Sequence, residues 1–159
     1  MNTLITYYSY SGHTDKAVQA MAGALRRKGE VAIQRLKPKK EIDSFAAQAR
    51  AAFFRRRAEL ELGINFDMSR YDLILIATPV WAFAPAPAVN TFLDNMTGVT
   101  AKKAIILVTS GSGAGVGKCF RNIEDALKNK GAFTTVRINI KDTKCEDEAL
   151  VVSELEKTL

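Results

Sequence analysis

Cysteine, histidine and long apolar runs are scarce in this sequence of 159 residues. Two cysteines and one histidine cannot build a disulfide framework or a zinc site, so we predict free thiols and no metal. No stretch approaches the roughly 20 apolar residues of a membrane span, and the first residues lack the features of a secretory signal. We therefore expect a cytoplasmic protein that has no membrane partner.

Acidic residues are also fewer than basic ones, 17 against 23, which leaves a net charge of +6. The positive charge is concentrated in runs at 26–28, 37–40 and 55–57. Runs of this kind suit nucleic acid or an acidic protein partner. Because no aromatic residues are interleaved with them and no nucleic-acid-binding signature accompanies them, we favour solvated basic faces and expect no nucleic-acid partner.

Apolar segments alternate with segments of helical periodicity along the whole chain. Strands are predicted at 3–8, 31–33, 71–77, 104–108 and 134–140. Helices are predicted at 16–25, 44–62, 88–96, 118–130 and 146–157. The alternation predicts right-handed βαβ crossovers and therefore an α/β fold with a doubly wound, five-stranded parallel sheet. No repeat or linker divides the chain, so we predict a single domain over residues 1–159.

The loop after the first strand carries three hydroxyl side chains around Gly12, namely Ser9, Ser11 and Thr14. The backbone N–H groups at a helix start have no partner within the helix, and with the positive helix end they bind a phosphate. A serine-rich helix cap accounts for one or two of these hydroxyls. Three at this spacing favour a phosphate-binding loop.

The loop after the third strand, residues 78–85, holds Trp81 and Phe83 two positions apart between prolines. Two interpretations of these rings stay open. Either they stack on the aromatic ring of a ligand, or they cap the hydrophobic core, which is where aromatic residues usually lie.

The loop after the fourth strand, residues 109–117, is rich in glycine but fits neither common nucleotide motif. A Walker A loop fails because Ser112 stands where glycine is needed and Cys119 follows Lys118. The dinucleotide fingerprint fails because residue 116 is valine. We expect a place where the backbone closely approaches a flat ligand.

Together these three loops resemble those of the flavodoxin family, and the resemblance to its short-chain members spans essentially the whole chain. Residues 9–14 are similar to the family's phosphate loop. Residues 77–81 and 87–93 resemble its isoalloxazine loop and helix, and 109–115 falls at its second flavin-contacting loop. The resemblance implies FMN as the cofactor and the strand order 2-1-3-4-5.

The resemblance also implies which residues contact the cofactor. The phosphate would be held by Ser9, Ser11, Gly12, His13 and Thr14, and Tyr10 of the same loop would also contact the cofactor. One side of the flavin ring would lie against Thr78, Pro79, Val80, Trp81, Ala82 and Phe83. The other side would lie against Ser110, Gly111, Ser112, Gly113 and Gly115. The flavin would carry the chemistry, so no catalytic side chain is expected.

Two departures from acidic electron-carrying flavodoxins bear on function. The loop at 109–117 has no aromatic residue, which leaves one ring face beside glycine and serine and favours a stacked substrate or nicotinamide. Neither 78–90 nor 109–122 contains Asp or Glu. Since nearby carboxylates destabilise an anionic reduced flavin, we expect this flavin to be reduced more easily than in an acidic carrier.

The sequence thus predicts an FMN-binding, flavodoxin-like redox protein for electron transport, with a protein redox partner or a small-molecule electron acceptor. Two alternatives stay open: an FMN-dependent NAD(P)H:quinone-type reductase, and a non-catalytic regulatory or binding module on the same fold. A phospho-acceptor receiver is not favoured, because Tyr8 and Ser9 end the first strand in place of the paired acidic residues that would bind magnesium. The choice between carrier and oxidoreductase, the donor, the acceptor and the oligomeric state are left open.

Overall fold

Five parallel strands form the centre of the computed structural model, which describes residues 1–41, 44, 46–47, 50–51 and 56–159. These strands are β1 (Asn2–Tyr7), β2 (Glu30–Arg35), β3 (Leu73–Trp81), β5 (Lys103–Ser110) and β6 (Thr134–Lys141). Their order, β2-β1-β3-β5-β6, confirms the predicted parallel sheet and the 2-1-3-4-5 arrangement of its five main strands. A short additional strand, β4 (Ala84–Pro85), pairs antiparallel with the end of β3.

Four helices cover the sheet in the described part of the chain, and a short 3₁₀ turn (Asp142–Lys144) follows β6. The helices are α1 (His13–Arg26), α2 (Pro87–Asn95), α3 (Val116–Asn129) and α4 (Glu148–Glu156). They match four of the five predicted helices, with ends that differ by up to three residues.

The fifth predicted helix, over 44–62, falls partly on residues 45, 48–49 and 52–55, which lie outside the described residues. Its described early positions 46–47 and 50–51 are helical, but the prediction is wrong for 56–62. There the chain forms an antiparallel ribbon with residues 37–39, in which Lys39 N–H donates to the Glu59 carbonyl at 2.8 Å. Main-chain pairing and contacts with α2 therefore override the local helix propensity.

The apolar run of β3 reflects burial on both faces of the sheet. Ile74 and Ile76 pack in the core beneath α2 and α3, whereas Leu75 and Ala77 pack in the core beneath α1 and α4. All four are fully buried. Alternate residues therefore face opposite helical layers, which is why the run lacks the apolar–polar alternation of a half-exposed strand.

The strand register brings three loops to one edge of the sheet. Tyr7 at the end of β1 is level with Ala77, and Pro79 near the end of β3 is level with Thr109. The loops that follow β1, β3 and β5 therefore leave the sheet side by side. Among the residues that the structure describes, no helix is long and apolar enough to span a membrane.

Shortening one buried side chain of the central strand β3 tests this layered core. Leu75→Ala removes buried apolar surface between β3 and α1, so we expect it to lower the free energy of unfolding by roughly 2–5 kcal/mol. Leu62→Ala removes the same atoms from a side chain that is 94% exposed, and we expect a change within about 0.5 kcal/mol. Urea unfolding followed by circular dichroism measures both, and equal losses in the two variants would contradict the layered core.

Candidate functional site

The first loop ends in a glycine that starts α1 without a side-chain cap. Gly12 has φ +93°, in the left-handed region, and no atom lies within 4 Å of where its Cβ would be. Conformation rather than space therefore requires glycine here. Ser9 Oγ accepts a hydrogen bond from the Asp15 N–H at 3.2 Å, but among the described residues nothing accepts from the N–H groups of His13 and Thr14. The helix start thus offers open donors to an anion.

His13 leaves a second polar atom unsatisfied at this point. Its Nδ1 is buried and has no hydrogen-bond partner within the described chain. Buried polar atoms are normally paired, so an orphaned imidazole nitrogen beside a helix start is what a bound group would satisfy. The start of α1 therefore has both backbone N–H groups and a side-chain nitrogen without partners among the described residues.

The second loop is a tight two-residue hairpin between β3 and β4. Ala82 and Phe83 both have positive φ, 45° and 69°, which is uncommon for residues that carry a side chain. The flanking pairs Val80–Pro85 and Trp81–Ala84 hold the turn, and the Ala86 N–H donates to Thr78 Oγ1 at 3.0 Å. The sheet thus enforces a strained loop tip, a feature that clusters at functional sites.

The aromatic residues at this edge divide into buried and exposed rings. Trp81 is 8% exposed and packs edge-on against Tyr8, with ring centroids 5.3 Å apart, and against Tyr10, 6.1 Å apart. Phe83 and Tyr10 are about half exposed. The sequence left open whether the rings of the second loop cap the core or face a ligand. In this structure Trp81 caps the core, whereas Phe83, together with Tyr10 of the first loop, has an accessible ring.

The third loop packs against the second through glycine. Gly115 has φ +80°, and a Cβ there would lie 2.7 Å from the Phe83 Cα. Gly113 also has positive φ, but nothing lies within 4 Å of its Cβ position. Ser112 Oγ accepts from the Ala114 N–H at 3.2 Å, which folds the loop back on itself.

All the predicted cofactor residues lie on these three loops or on the strand ends that lead into them, and contacts join the loops pairwise. The first and third meet where Thr14 Oγ1 and Thr109 Oγ1 are 2.8 Å apart, and Tyr10 links the first loop to Trp81. Thr78 and Ser110 are buried, and Ser110 Oγ donates to Asn139 Oδ1 at 3.3 Å. Contact of each residue with a cofactor stays a prediction.

A carboxylate that the loop sequences do not contain lies beside the third loop. Asp142 Oδ2 is 3.4 Å from the position that a Cβ on Gly111 would take. Burial raises the pKa of Asp142, and the nearby His13 opposes that shift. Asp142 follows β6, about 30 residues along the chain, so inspection of 109–122 could not reveal it. The absence of Asp and Glu from 109–122 therefore does not leave this loop without a neighbouring carboxylate, and the expected ease of flavin reduction stays a prediction.

The two cysteines, Cys119 and Cys145, are free thiols outside the three loops. Both are buried, and burial raises the pKa of Cys119 to about 12 and the pKa of Cys145 to about 11. Neither therefore has the thiolate character of a reactive cysteine. Within the described ranges, no three His, Cys, Asp or Glu side chains are grouped to hold a metal ion.

Known proteins resemble this chain along most of its length. A family model described as flavodoxin matches residues 2–156. An NAD(P)H dehydrogenase (quinone) from Brucella anthropi is 30% identical over 107 residues, which are 67% of this chain and 52% of that protein. The matched region therefore spans about half the length of that relative.

Solved structures share the fold at low identity. A flavoprotein from Lactobacillus acidophilus, crystallised in complex with FMN, is 22% identical with a TM-score of 0.69, over 93% of this chain and 98% of that one. Oxidised flavodoxin 1 from Bacillus cereus is 17% identical with a TM-score of 0.63, over 100% of this chain and 99% of that one.

Two glycine substitutions in the third loop distinguish the cost of a side chain at positive φ from the cost of a steric collision. Gly113→Ala places a side chain at positive φ in open space, so we expect a loss of about 1 kcal/mol in the free energy of unfolding. Gly115→Ala carries the same conformational cost and also collides with the Phe83 backbone, which adds about 1–3 kcal/mol. Urea unfolding of the two variants compares them directly. Equal losses would show that the second and third loops do not pack as described.

Proposed function

The chain belongs to the flavodoxin family, and from that premise we propose that it is an FMN-binding redox protein that passes electrons through its bound flavin. The observation that carries this proposal is the convergence of three loops, each with a different property, at the carboxyl edge of the sheet. A helix start with open donors lies beside an aromatic hairpin and a glycine-rich loop. Ligands of doubly wound sheets bind at this edge.

The first loop fits the phosphate of FMN, the cofactor of this family. The N–H groups of His13 and Thr14 supply donors at the positive end of α1, and the unpartnered Nδ1 of His13 lies beside them. Ser11 and Gly12 complete the turn. Because the site uses dipoles and N–H groups, it does not need a lysine or arginine to hold a dianion.

The second and third loops fit a flat ring. Phe83 and Tyr10 expose aromatic surface, and the third loop, which packs against Phe83 at Gly115, adds backbone without bulky side chains beside them. When bound, FMN supplies electron and hydride transfer. The chain's residues bind and orient it, and none need act as a nucleophile or general base.

A second candidate function is an NAD(P)H:quinone-type reductase. It is supported by the 30% identity to an NAD(P)H dehydrogenase (quinone), although the match spans only half of that protein. It is also supported by the sequence of the third loop, because residues 109–117 include no aromatic side chain that would compete with a stacked nicotinamide. A carrier would instead exchange electrons with separate protein partners.

The colour and turnover of the purified protein test the proposal. We expect a yellow protein that releases FMN on denaturation, because the three loops together bind the cofactor without covalent attachment. A colourless protein that cannot be reconstituted with FMN would contradict the redox function and favour a binding module. Oxidation of NAD(P)H with a quinone by the holoprotein alone would select the reductase, whereas strict dependence on a separate reductase would select the carrier.

Asp142 provides a test of electrostatic control at the third loop. Negative charge near the flavin disfavours the addition of electrons, so we expect Asp142→Asn to raise the midpoint potential of the bound FMN. The rise should be on the order of tens of millivolts, since 30 mV is about 1.4 kcal/mol for a two-electron couple. Asp125→Asn, which removes an exposed charge from α3, is the control in a spectroelectrochemical titration. Equal potentials in the two variants would rule out a role for Asp142.

A further inference from the structure

A cavity of about 750 Å³ lies at the amino end of α2, beside the antiparallel ribbon of residues 37–39 and 59–61. Its volume is within the range of small-molecule sites, roughly 300–1,000 Å³. Charged side chains dominate its described lining: Lys39, Lys40, Arg50, Arg56, Arg57 and Glu59. Among these described lining residues, five cations and one carboxylate sum to a charge of +4.

The cations of the basic cavity are not all neutralised by neighbours. Lys39 pairs with Glu59, and Arg57 Nη2 lies 3.0 Å from Asp94 Oδ1. Lys40 and Arg56 are exposed and form no ion pair with any described residue. Lys39 and, more weakly, Lys40 both lower the pKa of the Glu59 carboxyl, so one carboxylate serves two lysines. A concave wall with this excess of cations attracts a multiply charged anion.

Hydrogen bonds hold this charged wall in place. The Glu61 N–H donates to the Lys37 carbonyl at 2.9 Å, which with the bond between Lys39 and Glu59 forms the ribbon. Thr91 of α2 binds the ribbon at both polar atoms of Ala58: its Oγ1 accepts from the N–H at 3.0 Å and lies 2.7 Å from the carbonyl oxygen. A wall fixed to a helix loses less entropy on binding than a free loop would.

The basic cavity adjoins a cleft that reaches the start of the second loop. A small adjoining cleft is lined by Tyr8 and Trp81 and shares Lys40, Ala58 and Pro87 with the basic cavity. Trp81 begins the hairpin whose tip carries Phe83. A ligand with phosphates in the basic cavity would therefore have its other end near the second loop, where the flavin ring is proposed to lie.

We propose that the basic cavity binds the phosphates of a nicotinamide dinucleotide, with preference for the form that carries the additional 2′-phosphate. This inference rests on the proposed reductase function, because it supplies the electron donor for that reaction. A dinucleotide joins anionic groups to a flat ring in one molecule, which matches a cationic cavity beside an aromatic loop. The concave shape favours a small molecule over an acidic protein, and arginine binds phosphate in a bidentate manner.

Equilibrium binding of NADP⁺ and NAD⁺ to the FMN-loaded protein tests this proposal. The oxidised nucleotides cannot reduce the flavin, so calorimetry measures binding without turnover. We expect NADP⁺ to bind more tightly than NAD⁺, and the double variant Lys40→Ser, Arg56→Ser to weaken NADP⁺ binding by about tenfold or more. The control Lys28→Ser, Lys128→Ser removes the same charge near the opposite edge of the sheet and should leave the affinity unchanged.

The outcomes separate this inference from the function on which it rests. If the protein is yellow but binds neither nucleotide, or if the double variant and the control lose affinity equally, the basic cavity is not a dinucleotide site and the FMN function stands. A protein that cannot bind FMN fails the proposed function itself. Loss of electron transfer with a separate reductase in the double variant, at unchanged NADP⁺ affinity, would assign the cavity to a protein partner and overturn the proposal.

Discussion

The candidate site depends on the register of backbone pairing between β1, β3 and β5, because this register makes three loops leave the sheet at the same edge. Because Tyr7 is level with Ala77 and Pro79 is level with Thr109, the helix start, the hairpin and the glycine loop are neighbours although they are far apart in sequence. The contact between Thr14 and Thr109 then joins the first loop to the third. Burial of β3 on both faces keeps this arrangement rigid.

The loops themselves depend on backbone conformations that cost free energy. Positive φ at Ala82 and Phe83 is held by the pairing of β4 with β3, and the close approach of Gly115 to Phe83 requires the absence of a side chain. The extra strand β4 is thus part of the site, since it supports the hairpin on which the exposed ring of Phe83 stands. A rigid sheet that carries strained loops is a common basis for binding.

Much of the fold could be predicted because local pattern and tertiary position agree. The run at 71–77 is apolar since both faces of β3 are buried, and the hydroxyls around Gly12 mark a helix start. Three features could not be predicted in this way. The hairpin at Ala82 lacks the Asn-Gly or Asp-Gly signal of such turns. Residues 56–62 have helical propensity but pair with 37–39. Asp142 reaches the third loop only through the folding of β6.

The net positive charge of this chain and its uneven distribution distinguish it from an acidic electron carrier. Cations are concentrated beside α2, next to the cleft at Trp81, whereas the third loop has a carboxylate close by. In the functions proposed above, different elements of the same edge would attract an anionic donor and tune the flavin. Both roles require that the first loop anchors the cofactor by its phosphate.

Titration of the apoprotein with FMN and with riboflavin, followed by flavin fluorescence, tests that anchoring most directly. Riboflavin has the same ring without the phosphate. Charge-assisted hydrogen bonds contribute about 1.5–3 kcal/mol each, so the loss of two or more predicts at least a hundredfold weaker binding of riboflavin. Equal affinities for the two flavins, or no binding of either, would contradict the assignment of residues 9–14 as the phosphate loop of a flavin site.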